Sequence, residues 1–225
     1  MGTLFIVATP IGNLGDITFR AIETLKSVDL IACEDTRVTG NLLKHFDIKK
    51  PVVSYFQHSK LSKIEYIIEE LQTGKDIALV TDAGTPGISD PGQELIGRIK
   101  KEEERIKVIP IPGVSAVAAA ASVSGMIEKE FYFAGFMPKK KGRQTKFKQL
   151  ISLDCPIIIY ESAMRLEKTL GEIKGYFGDN VEVFIAREMT KIFEEYWGGT
   201  VSDLISDLPS HQLKGEVTLL VRSKK

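Results

Sequence analysis

The sequence predicts an α/β protein of two domains, each a sheet covered by helices. Three observations carry that expectation. Short apolar runs alternate with stretches of helical period. One run, Ile77-Ala78-Leu79-Val80, is apolar throughout, as a parallel strand covered on both faces must be. The pattern breaks between Gly125 and Glu130 and then starts afresh. The divide is placed near residue 127, giving domains of residues 1–126 and 127–225; a chain of 225 residues has room for two small domains.

In order along the chain, residues 3–8 read as a buried strand. Residues 18–27 form a helix capped by Thr18, with Ile22 and Leu25 on one face. Residues 29–33 return as a strand, and 36–46 as a helix with Leu42, Leu43 and Phe46 inward. After a short strand at Val52-Val53, Ser59 to Thr73 carries Ile64, Ile67, Ile68 and Leu71 at helical spacing and is closed by Gly74. Beyond strand 77–80 come a charged helix over 93–104, a strand at 107–109 and an alanine-rich helix over 114–124. This alternation implies a mostly parallel sheet between helices. In the second series, strands fall at 131–134, 156–160, 181–185 and 217–221, with helices at 142–152, 163–174 and 200–207.

Hydrophobic residues make up 43% and charged residues 27%, the profile of a folded globular chain. Lys+Arg and Asp+Glu both total 30, so net charge is no argument for a nucleic-acid partner, and any such case rests on local clustering. The apolar stretch from Met1 to Ala8 is too short for a signal peptide or a membrane span, and Pro10 interrupts it. Cys33 and Cys155, far apart and in apolar surroundings, read as free thiols. A cytoplasmic location without membrane contact is expected.

Common cofactor motifs are missing. There is no Gly-x-Gly, hence no dinucleotide fingerprint. Gly87 and Gly92 have P-loop spacing, but Gln93 and Glu94 stand where Lys and Ser/Thr would hold phosphate and magnesium. His45, His58 and His211 are too scattered for a zinc signature, and no metal is expected.

What remains is three Gly/Pro-rich loops, each directly after an apolar strand: 9–14, 81–92 and 111–116. In a parallel sheet all three lie at the carboxyl edge, where open α/β sheets bind ligands. The second packs two acids, three glycines, two prolines and three hydroxyl residues into twelve positions, more than a turn requires. Glycine admits a ligand close to the backbone and proline fixes the loop.

Seven stretches in this order resemble the tetrapyrrole methylase superfamily: TPIGNLGDIT (9–18), LIACEDTRVTGNLL (30–43), ALVTDAGTPGISDPG (78–92), PIPGVSA (110–116), IIYESAMRL (158–166), AREMTKIFEE (186–195) and KGEVTLLV (214–221). Within it they look like the enzymes that methylate a cytidine ribose in 16S ribosomal RNA. Similar proteins usually carry Pro-His where this chain has Ala163-Met164, and often a proline where Val114 stands. The resemblance implies S-adenosylmethionine held in a cleft between two domains, a homodimer, and the RNA of the small ribosomal subunit as substrate, with no DNA partner. By position, Asp82, Ala83, Gly84, Thr85, Pro86 and Ile88 face the methionine part of the cofactor. Pro10, Ser115 and Ala116 close that side, and Tyr160, Glu161 and Ala186 reach the adenosine.

Methyl transfer from a sulfonium needs alignment, exclusion of water and removal of the hydroxyl proton. The candidates are Glu34, Asp35, Arg37, Glu161, Arg165, Arg187, Glu188 and Lys191, each of which also reads as an ion-pair member or a helix cap; Asp35 or Thr36 suits the cap of the helix that follows. RNA contact has a separate signal in Lys139, Lys140, Lys141, Arg143, Lys146 and Lys148, six cations without an acid. Phe136 or Phe147 is a candidate base-stacking ring, with the core the commoner fate of such a residue. Two other readings stay open: the same fold acting on a tetrapyrrole precursor, and a non-catalytic ribosome-assembly factor.

Overall fold

The computed structural model describes residues 1–56 and 61–222 and divides by contacts into two compact units, Met1–Ser115 and Ala116–Lys225. The sequence placed the divide after the alanine-rich helix. The contact boundary falls before it, because that helix packs on a strand of the second unit.

The first unit runs β1 (Thr3–Val7), α1 (Phe19–Ser27), β2 (Leu30–Cys33), α2 (Thr36–His45), β3 (Val52–Ser54), α3 (Leu61–Gln72), β4 (Ile77–Val80), α4 (Gln93–Glu102) and β5 (Lys107–Ile111). The expected start of α3 at Ser59, with His58 before it, lies outside the described residues. Thr18 caps α1 by accepting the Ala21 amide at 3.1 Å, and Asp35 caps α2 by accepting that of Arg37 at 2.8 Å. The sheet is wholly parallel, in the order β3-β2-β4-β1-β5. Every residue of β4 is buried, which its unbroken apolar run requires. On one face Leu4, Leu79 and Ala32 pack on Ile64, Ile67, Leu71, Leu95 and Ile99; on the other Val7, Ile31 and Val80 pack on Ala21, Leu25 and Leu43.

The second unit comprises α5 (Ala116–Ser124), β6 (Tyr132–Phe136), α6 (Arg143–Leu150), β7 (Ile157–Ser162), α7 (Leu166–Phe177), β8 (Glu182–Arg187), β9 (Glu195–Thr200), α8 (Val201–Asp207) and β10 (Glu216–Val221). Its sheet, β6-β7-β10-β8-β9, is mixed: β6 and β7 run parallel, and the other three pairings are antiparallel. Ile157, Ile159, Val183, Ile185, Val217 and Leu219 form one buried face with Phe147, Leu166, Leu170, Ile173, Phe177 and Leu204 from α6, α7 and α8. Strand β9 was not expected from the sequence. The Gly198-Gly199 pair lets β9 approach β8 closely: a Cβ on Gly198 would stand 3.2 Å from the Val183 carbonyl oxygen.

Candidate active site

In the first unit β4, β1 and β5 are neighbours, so the three Gly/Pro-rich loops leave the sheet side by side at its carboxyl edge. Hydrogen bonds zip them together. The Thr9 amide donates to the Gly84 carbonyl at 2.9 Å, and the Gly84 amide returns a bond to the Thr9 carbonyl at 3.1 Å. The Thr9 hydroxyl donates to the Thr81 carbonyl at 3.1 Å, and the Thr85 hydroxyl to the Val114 carbonyl at 3.0 Å. Gly84 is buried with φ +84°, and Ser89, a non-glycine residue, is held at φ +65°. Strain of that kind persists only where surrounding structure over-determines it, and it clusters at functional loops.

The residues assigned to the cofactor divide by exposure. Pro10, Gly84 and Pro86 are buried; Asp82, Ala83 and Ile88 are exposed, and Thr85 and Ser115 are half-buried. Ala116, half-buried, opens α5 in the second unit.

Carboxylates from the adjacent strand ends meet beside this loop. Asp82 follows β4 and accepts the Asp35 amide at 3.0 Å. Partial desolvation by the surrounding loop raises its proton affinity although the residue is exposed, and the Asp35 charge adds to the rise. Glu34 is raised as well, first by burial and then by the Asp82 charge. Asp35 goes the other way. The Arg37 guanidinium binds its carboxylate, at 2.6 Å for the shorter contact, and holds it at about 2. The Cys33 thiol, buried at the end of β2, is pushed up by desolvation.

In the second unit, the pairings Phe136–Tyr160, Tyr160–Thr218, Thr218–Ala186 and Ala186–Tyr196 put five side chains in one row across one face of the sheet. Tyr160 and Ala186, named by sequence for the adenosine, are two strands apart in that row. Glu161, the third, lies on the opposite face. Its side chain has no exposure and is saturated by Arg165 at 2.5 Å, the Thr169 hydroxyl at 2.9 Å, Arg143 at 3.5 Å and the Ser162 amide at 2.9 Å.

The same network corrects the reading of Arg143. Grouped with the RNA-facing cations, it is 4% exposed and bound to Glu172 at 2.7 Å, Thr169 at 2.7 Å and the Pro138 carbonyl at 3.1 Å. A guanidinium so enclosed reaches no phosphate. Lys139, Lys140, Lys141 and Lys148 are exposed, Lys146 is half-buried against Tyr132, and Phe147 is wholly in the core.

Arg187 closes β8 directly after Ala186, and Glu188 and Lys191 follow the strand. Arg187 is buried, donating to Glu195 at 3.0 Å and the Lys214 carbonyl at 3.1 Å. Glu188 takes φ +50° and binds Lys191 at 2.8 Å and the Glu216 amide at 3.0 Å; burial alone would raise its carboxyl, but these donors outweigh it. Sequence reasoning missed Thr169, Glu172, Glu195 and Glu216, because each meets its partner by folding rather than at a recognisable spacing.

The family model for Tetrapyrrole (Corrin/Porphyrin) Methylases matches residues 3–205. The chain is 47% identical to ribosomal RNA small subunit methyltransferase I of Synechocystis sp., covering 98% of this chain and 79% of that one. It is 45% identical to the protein of the same name from Thermotoga maritima, covering 100% of both. The crystal structure of uroporphyrin-III-C-methyltransferase from Thermus thermophilus matches with a TM-score of 0.67 at 16% identity, covering 99% of this chain and 94% of that one, a likeness of fold. With the family pattern running through nearly the whole chain and relatives close to half identical, this protein belongs to the tetrapyrrole (corrin/porphyrin) methylases.

Proposed function

We propose that the protein transfers a methyl group from S-adenosylmethionine to a cytidine 2′-hydroxyl in the 16S RNA of the small ribosomal subunit, acting as a cytoplasmic homodimer. The zipped, glycine-lined loop at the carboxyl edge of the parallel sheet carries the reading. The choice of RNA over a tetrapyrrole rests on the relatives named for small-subunit ribosomal RNA. The loop suits the cofactor chemically: the exposed Asp82 carboxylate matches an ammonium, and exposed Ile88 matches the aliphatic chain of the methionine part.

When bound, the cofactor supplies an activated methyl on a sulfonium. The protein's own groups align the hydroxyl, exclude water and take up its proton. Glu34, raised, is a better base than Asp35, which its pairing with Arg37 makes too weak to compete. Glu161 and Glu188 are committed to ion pairs and position their surroundings.

The test is methyl transfer to small ribosomal subunits from cells lacking the protein, with labelled S-adenosylmethionine and mapping of the product. One ribose methyl on a cytidine of the 16S RNA is expected. Label on a tetrapyrrole alone contradicts the substrate, and no transfer to either contradicts the activity.

A further inference from the structure

We infer that the end of β6 and the loop into α6 form a landing platform for single-stranded RNA: Phe136 offers a stacking ring, Lys139, Lys140 and Lys141 meet phosphates, and buried Arg143 holds the loop in shape. The inference rests on the ribosomal-RNA reading above and names the segment that meets that substrate.

Charge and exposure come first. No acidic residue stands between Glu130 and Asp154, in a protein of zero net charge. The three consecutive lysines are exposed, and Lys148 adds a fourth exposed cation on α6. Lysine runs are often merely solvated, which is why the anchoring matters. From inside, Arg143 donates to the Pro138 carbonyl at the loop's near end, while Glu172 and Thr169 of α7 grip its guanidinium. Gly142, at φ +82°, turns the chain into α6. The loop is therefore closed at both ends, and its lysines lose less entropy on meeting phosphates than those of a free tail.

Phe136 is the second observation. It is 56% exposed, a poor position for an apolar ring without a partner, and it lies three residues before Lys139. It packs against the Tyr160 ring in a tilted, edge-type pair, with centroids 5.4 Å apart. An exposed ring beside cations carried on an anchored loop is the arrangement that binds single-stranded nucleic acid: stacking on bases, attraction to the backbone. Since Phe136 and Tyr160 are neighbours in one cross-strand row, an RNA held here lies beside the residue named for the adenosine.

The test measures binding of a single-stranded 16S RNA fragment across a salt series. Lys139→Gln, Lys140→Gln and Lys141→Gln combined should weaken binding at least about tenfold at low salt. They should also lower the slope of log affinity against log salt by about two, near 0.7 per lost phosphate contact. Phe136→Ala should weaken binding about tenfold and leave the slope unchanged. Phe136→Leu, which keeps apolar packing on Tyr160, should behave alike, with melting temperature reporting intact folding. Heparin, a polyanion without bases, should respond to the lysine changes and not to those at Phe136. If wild type methylates RNA while the triple variant keeps wild-type affinity and slope, the platform is wrong and the activity stands. Equal losses of heparin and RNA binding at Phe136 overturn the stacking role. If wild type binds no RNA at all, the substrate reading falls and the platform with it.

Discussion

Glu161 is buried in a place without solvent, and its neighbours decide what that costs. Arg143, Arg165, Thr169 and the Ser162 amide saturate it. Replacing Arg143 by Met removes the three contacts, to Glu161, Thr169 and Glu172, that bind α6 to β7 and α7, and leaves a buried carboxylate with one cation. Urea unfolding should show a loss of about 3–5 kcal/mol. A loss below about 1 kcal/mol would mean the charge is solvated after all. At Gly84 the constraint is backbone rather than charge. With φ +84°, Gly84→Val should cost roughly 1–2 kcal/mol in conformation, besides blocking the loop surface. Melting that is unchanged from wild type would contradict it. The sequence announced Gly84, since glycine among prolines signals a special turn. It misled at Arg143, because a run of cations reads the same whether its members face water or a carboxylate far along the chain.

At the scale of elements, the strand ends of the second unit are tied by charge. His211 stands between Glu195 of β9, at 2.5 Å, and Asp207 of α8, at 2.9 Å, with its ring stacked on Trp197. Burial alone would lower its proton affinity, but the two carboxylates outweigh that and raise it above 6.5. Folding therefore takes up a proton. The stabilisation is fully present below the unfolded pKa near 6.5 and fades as pH climbs through the higher folded value. Thermal melts of wild type and His211→Gln should differ most near pH 6 and converge toward pH 9; a constant gap would show that His211 acts through packing alone. None of this was legible in a lone histidine. The helices were, because Thr18 and Gly74 mark ends and Ile64, Ile67, Ile68 and Leu71 mark a face. Strand β9 was not, since its Gly-Gly pair is chosen for close approach to β8 and not for strand propensity.

Across the whole molecule, charge balance and function are read separately. Thirty cations offset thirty anions, so salt sensitivity in binding should trace to local segments and not to the global field. The parallel first sheet was legible because strands buried on both faces leave unbroken apolar runs. The mixed second sheet was not, since the same runs serve either strand direction. The site was legible where loop chemistry is concentrated, in residues 81–92, and hidden where it depends on contacts between loops, such as Thr9 with Gly84. That loop cluster is the proposed seat of the methyl donor. Calorimetric titration of S-adenosylmethionine into wild type and Asp82→Asn tests it most directly, because the amide keeps the acceptor for Asp35 and removes only the charge. Saturable binding by wild type, weakened about tenfold or more in a variant of equal melting temperature, is the expected result. Wild type that takes up no S-adenosylmethionine, or a variant that binds it as tightly as wild type, would contradict the account.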